Sequence, residues 1–160
     1  MKPEAVTSSG VRLSFWKTSL EAIAEKPLVG SGVGSWATEY NRIKRSDSAV
    51  HMDLGVGSNP HQEFLLWGVQ LGVGGILLLL ALLGAVLHDL KKMPVPVARA
   101  GQSVVAALVL SCLLNSSIYD AYIGDFFCLS LGVLLTFGLR SRDLLDAVPP
   151  QATGTVATEA

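Results

Sequence analysis

The stretch FLLWGVQLGVGGILLLLALLGAVL, residues 64–87, decides the fold: it holds 24 positions without one charged side chain, and Gln70 is its only strongly polar one. A helix rises about 1.5 Å per residue, so about 20 apolar residues cross the roughly 30 Å of bilayer hydrocarbon. The stretch therefore predicts a transmembrane helix. Further on, Ala100 to Leu139 carries only Asp120 and Asp125 as charges. That is too long for one span and fits two short ones, about 100–118 and 121–139, joined at residues 115–125. A buried soluble helical core is the competing reading, and so long a run without charge speaks against it.

Residues 1–63 differ in kind. They hold seven Lys/Arg and seven Asp/Glu, a balanced and water-compatible composition. Half of the 160 residues are apolar and 16% charged, so the apolar ones are segregated into spans instead of filling one core. The expected fold class is all-α: a polytopic membrane protein with a polar helical segment over 1–63, three transmembrane helices over 64–142, and a disordered tail over 143–160. The tail reading rests on Val148-Pro149-Pro150 and the Ala/Thr/Gly-rich end.

Basic residues orient the spans. Lys91, Lys92 and Arg99 lie between the first and second, and Arg140 and Arg142 follow the third. The tip at 115–125 and the stretch 46–63 contain no Lys or Arg. The positive-inside rule puts residues 89–99 and the tail in the cytoplasm, leaving 1–63 and the tip outside. Yet no apolar signal segment precedes residues 1–63, so earlier membrane helices are expected ahead of Met1 in a larger protein.

Two short helices are predicted in the polar segment. Leu13, Trp16, Leu20 and Ile23 recur at helical spacing, with Pro27 ending the run. Trp36, Tyr40 and Ile43 mark the second, after the turn Gly30-Ser31-Gly32-Val33-Gly34. That turn lacks the Gly-Lys-Ser/Thr of a phosphate loop and the third glycine of a dinucleotide fingerprint, so it reads as a tight connection. Cys112 and Cys128 fall inside spans and read as buried thiols.

The chemistry-bearing residues cluster where the outer segment meets the first span, at Asn59-Pro60-His61-Gln62-Glu63. Asn59 suits an N-cap, Pro60 the first helical position, and Gln62 the closing residue of a capping box. His61 then falls in the first turn, where the positive end of the helix dipole favours a neutral ring able to accept a proton from a hydroxyl. An interfacial histidine that only completes a cap is the plainer alternative. Arg12 opens the first helix, and Arg42, Lys44 and Arg45 follow the second. Arginines bind phosphate oxygens in pairs, though a solvated or lipid-facing basic patch has the same composition. His51, Asp53, His61 and Glu63 could be drawn together as a metal site, but the intervening loop argues against it.

Taken in order, Arg12-Leu13-Ser14-Phe15-Trp16, then Pro27-Leu28-Val29-Gly30-Ser31-Gly32-Val33-Gly34-Ser35-Trp36, then His61-Gln62-Glu63-Phe64-Leu65 and a glycine-containing span resemble the O-antigen ligase and polymerase superfamily. That family has an Arg-x-x-x-Trp helix, a Pro-x-x-Gly-x-Gly-x-Gly turn and a His-Asn-x-x-Leu start to a membrane helix. Here Gln62 replaces the usual Asn. The resemblance covers about residues 10–140.

The resemblance implies a GT-C-like glycosyltransferase of the bacterial inner membrane. It would move a glycan from undecaprenyl diphosphate to an acceptor hydroxyl, such as lipid A core, at the periplasmic face. No metal, cofactor or nucleic acid is expected. By matching position His61 would be the base and Arg12 a diphosphate contact, with Arg42, Arg45 and Gln62 as further substrate contacts. The partners implied are the undecaprenyl-diphosphate-linked glycan, an acceptor glycolipid or glycan, and membrane lipids. A glycan polymerase or protein O-oligosaccharyltransferase is the alternative within the superfamily. A non-catalytic membrane subunit or truncated remnant is the alternative outside it.

Overall fold

The computed structural model describes residues 8–46 and 59–147. Every element among them is a helix: α1 (Ser8–Glu25), α2 (Trp36–Ser46), α3 (Glu63–Leu90), α4 (Val95–Leu114) and α5 (Ala121–Asp146). The last three are long and apolar enough to cross a membrane. The described residues are all-helical, and the chain is a polytopic membrane protein.

Two hydrophobic clusters organise it. One joins α1 and α2 to the first half of α3 through Phe15, Ala22, Trp36, Tyr40, Leu66 and Val69. The other packs the second half of α3 against α4 and α5 through Leu79, Leu83, Leu90, Val97, Val105 and Leu108. Met93 lies in the short connection after α3 and is buried in the second cluster. Leucines such as Leu77, Leu78, Leu82 and Leu110 are exposed, as a lipid-facing surface requires.

The buried face of α1 is only partly the expected one: Trp16 and Ile23 pack against the first cluster. Phe15, Thr18, Ser19 and Ala22 are buried, whereas Leu13 and Leu20 are exposed. Both sets have helical spacing, but the small side chains of the first set let α2 and α3 come close. Phe15 then meets Trp36 and Tyr40 edge-on, each at 5.1 Å between ring centroids. Trp36 Nε1 donates to Ser19 Oγ at 2.8 Å, and that hydroxyl donates to Phe15 O. Removing a buried indole N–H from water without a partner is costly, and Ser19 answers it within the small-residue face.

α3 is broken at Gly72, where φ is 65° and ψ is −156°. Helical hydrogen bonding lapses around this residue, and the 26–35 turn fills the gap. Ser31 N–H donates to Val69 O at 2.8 Å, Gly32 N–H to Gln70 O at 2.9 Å, and Val73 N–H to Pro27 O at 2.7 Å. Gln70 Oε1 accepts a fourth bond, from Gly34 N–H. A break in a membrane helix is tolerated only when its freed backbone groups find partners, and here the glycine turn supplies them. Two glycines make the approach possible. A Cβ on Gly72 would stand 2.5 Å from Pro27 O, and one on Gly30 (φ 63°) 2.5 Å from Gln70 C.

Candidate functional site

The site forms where α3 starts. Gln62 is the N-cap, in extended conformation, and its Oε1 accepts from Leu65 N–H at 2.5 Å. This corrects the expected arrangement: Asn59 does not cap α3, and His61 is not in its first turn. Asn59 Oδ1 instead accepts the N–H of His61 at 2.8 Å, a local turn that leaves the cap to Gln62. His61 is thereby held at φ 53°, the left-handed region, and no other described non-glycine residue has a positive φ. Such a conformation costs about 1–3 kcal/mol and persists only where neighbours fix it.

Neighbours on two other elements do so. The Phe15 ring of α1 stacks on the imidazole, with centroids 6.4 Å apart and planes inclined by 20°. Asn115, at the C-terminal end of α4, places Oδ1 3.1 Å from His61 Nδ1. An amide oxygen only accepts, so this contact is a hydrogen bond when the ring proton is on Nδ1. Among the described residues nothing bonds Nε2.

Glu63 secures the same junction from beneath. Its side chain is wholly buried. Oε1 accepts from Trp67 Nε1 at 2.8 Å, and Oε2 from the backbone N–H of Ile118 at 2.9 Å and of Tyr119 at 3.4 Å. The carboxylate thus ties the start of α3 to the α4–α5 connection that carries Asn115. Asp120 ends that connection by accepting from the Tyr122 and Ile123 amides, which caps α5. Beside Glu63 lies an apolar cavity of about 320 Å³. Val33 of the glycine turn, Leu66, Trp67 and Leu71 of α3, and Ile118 and Tyr119 of the tip line it, with Glu63 and Gln70 at its polar edge.

The arginines separate. Arg12 is exposed on α1, one turn before Phe15, and makes no ion pair among the described residues. Arg42 is engaged within the protein: its guanidinium bonds Glu39 at 2.7 Å and also Glu25. Lys26 joins them, 3.2 Å from Glu39. Burial alone would raise the Glu39 carboxyl, but hydrogen bonds from Arg42, Ser31 and Lys26 outweigh it and hold the group below its ordinary value. Arg42 therefore clamps α2 to α1. Arg45 lies in the last turn of α2.

No group of three His, Cys, Asp or Glu side chains poised for a metal occurs among the described residues. His51 and Asp53, half of the metal alternative, lie outside those residues.

The family model described as O-antigen ligase matches residues 4–80. This chain carries an O-antigen ligase family segment. No curated protein matches it. The O-antigen ligase superfamily comprises membrane enzymes of glycosyltransferase type that handle lipid-linked glycans. The matched segment contains α1, α2, the glycine turn, His61 and the broken half of α3. Asn115, Ile118 and Tyr119 lie beyond it, and sequence reading gave them no role. In the sequence Glu63 stands out as a possible metal ligand and as a member of the cluster before the first span, not as a tie to the tip. Its signal was a lone acidic residue at the very start of an uncharged span, which is costly to bury without partners.

Proposed function

We propose that this chain forms the acceptor-activating part of an O-antigen-ligase-type glycosyltransferase. It moves a glycan from undecaprenyl diphosphate to an acceptor hydroxyl, with lipid A core the first acceptor to test. The observation that carries the reading is the restraint of His61 at the head of a membrane helix, with Nδ1 bonded to Asn115 and Nε2 unbonded among the described residues. Nε2 takes the proton of the acceptor hydroxyl as that oxygen attacks the anomeric carbon of the glycan. The bond from that carbon to the diphosphate oxygen breaks, and the diphosphate leaves with the electron pair.

Arg12, without an ion pair among the described residues, stabilises the charge growing on the diphosphate through a two-pronged contact. Arg45 is a further phosphate contact at the end of α2, and the amide nitrogen of Gln62 a glycan donor. Arg42 serves the scaffold instead, because both of its carboxylate partners are internal. The apolar cavity beside Glu63 suits part of a lipid chain or the apolar face of a sugar. Residues 1–63 and 115–125 are periplasmic in this reading, and residues 89–99 and the C-terminal tail cytoplasmic, with the protein in the inner membrane. The basic residues Lys91, Lys92, Arg99, Arg140 and Arg142 support that orientation.

The test is complementation of a ligase-deficient strain with the intact gene product. Removing a general base costs about 10²–10⁴-fold, so His61→Ala is expected to abolish transfer while membrane insertion persists. A loss within about two-fold removes the base assignment. Arg12→Lys is expected to be damaging too, since Lys keeps the charge without the planar fork.

A further inference from the structure

We infer that Asn115 is a positioning residue that fixes the tautomer and ring orientation of His61. The inference rests on the proposed base role only for its catalytic consequence; the tautomer itself is a property of the protein alone. A neutral imidazole carries one proton, on either nitrogen, and only the other nitrogen can act as a base. The Asn115 amide oxygen, 3.1 Å from Nδ1, accepts and cannot donate, so the proton stays on Nδ1 and the lone pair on Nε2.

The contact joins residues 54 positions apart, so it survives only if the tip of α4–α5 is held against the start of α3. Two features do this. Asn115 ends α4 in an extended conformation, with its N–H still bonded to Ser111 O at 2.8 Å, which turns its side chain off the helix. Glu63 then holds the next turn of the tip through the Ile118 and Tyr119 amides. From the other side the Phe15 ring prevents the imidazole from rotating away.

Among the described residues no charged side chain competes for Nδ1. Glu63 is engaged with Trp67 and the tip amides, and Glu39 on α2 with Arg42 and Lys26. Asp120 is occupied in capping α5, and Arg12 lies a turn beyond Phe15 on α1. A neutral acceptor at Nδ1 has a definite chemical advantage over a carboxylate. It selects the base-competent tautomer and stabilises the imidazolium less than a carboxylate would, leaving the Nε2 lone pair to take a proton from a hydroxyl.

The direct measurement is the ¹⁵N spectrum of the intact protein labelled at histidine, in lipid nanodiscs above the titration range. The His61 signals are identified by their loss in His61→Ala. Protonation at Nδ1 with a bare Nε2 is expected; a ring protonated at Nε2 overturns the inference. In transfer assays Asn115→Leu, which cannot accept, is expected to lower kcat about tenfold, the scale of one lost hydrogen bond, with KM little changed. Asn115→Asp keeps the acceptor and adds charge, so it is expected to restore transfer at high pH with the acid limb of the pH profile moved upward. A purely structural asparagine would give no such displacement. An Asn115→Leu enzyme with wild-type kcat also overturns the inference. Full activity in His61→Ala alongside an Nδ1-protonated ring would instead remove the base role and leave the positioning contact standing.

Discussion

Replacing Gly72 with alanine tests whether backbone contacts fix the break in α3. At φ 65° and ψ −156° an L side chain is strained by about 1–3 kcal/mol. The new Cβ would also stand 2.5 Å from Pro27 O, 2.6 Å from Leu28 C and 2.7 Å from Leu28 O. All three atoms are backbone, so no side chain can rotate aside, and the turn must withdraw. Withdrawal endangers the bonds from Ser31 to Val69, Gly32 to Gln70 and Val73 to Pro27, each worth about 0.5–1.5 kcal/mol net. A straightened α3 would recover part of this through its own helical bonds. The expected net loss is about 2–5 kcal/mol, a large share of the roughly 5–15 kcal/mol that holds a domain folded.

Gly84→Ala is the control. A Cβ there meets nothing within 4 Å, and alanine in a helix gains about 0.5–1 kcal/mol over glycine. Thermal unfolding of the purified protein in nanodiscs, followed by tryptophan emission, separates the two. Gly72→Ala is expected to lower the midpoint by on the order of 10 °C, and Gly84→Ala to leave it level or higher. A Gly72→Ala midpoint equal to wild type would refute the account of the break.

Further outcomes follow from the same contacts. Glu63→Ala strands the Trp67 indole and two tip amides and should destabilise by about 3 kcal/mol or more, read in the same melts. Glu63→Gln should fall between, because it keeps a single acceptor for three donors. The Glu39 carboxyl lies below its ordinary 4.5 in the fold, so its contribution is complete above that pH and is lost as pH falls through the lower folded value. Glu39→Gln should therefore flatten the acid limb of the stability curve, and an unchanged limb would remove Glu39 as its source. With Cys112 and Cys128 replaced, an impermeant thiol reagent on intact cells should label Ser48→Cys and not Val95→Cys; the opposite pattern overturns the orientation.

The membrane character of this chain was legible in its sequence because partition into hydrocarbon is close to a sum over neighbouring residues. The uncharged run at 64–87 required a span whatever else surrounded it, and the order of the Arg12, Pro27–Gly34 and His61 motifs carried the family. The location of the junction at His61 was legible too, as a cap-forming cluster beside that run. Its geometry was not. Asn59 and Gln62 are both good caps, and only the tertiary structure assigns Gln62 to the helix and turns His61 into the left-handed region. Likewise Leu13–Leu20 and Phe15–Ala22 have the same helical period, and the close approach of α2 and α3 selects the set with small side chains. The pairing of His61 with Asn115, the hold of Glu63 on the tip, and the entry of the glycine turn at Gly72 join segments far apart in the chain. Hydrogen bonds depend on distance and angle between groups that only the packed chain brings together. Composition and spacing could name these residues as polar or flexible, but only the fold could make them partners.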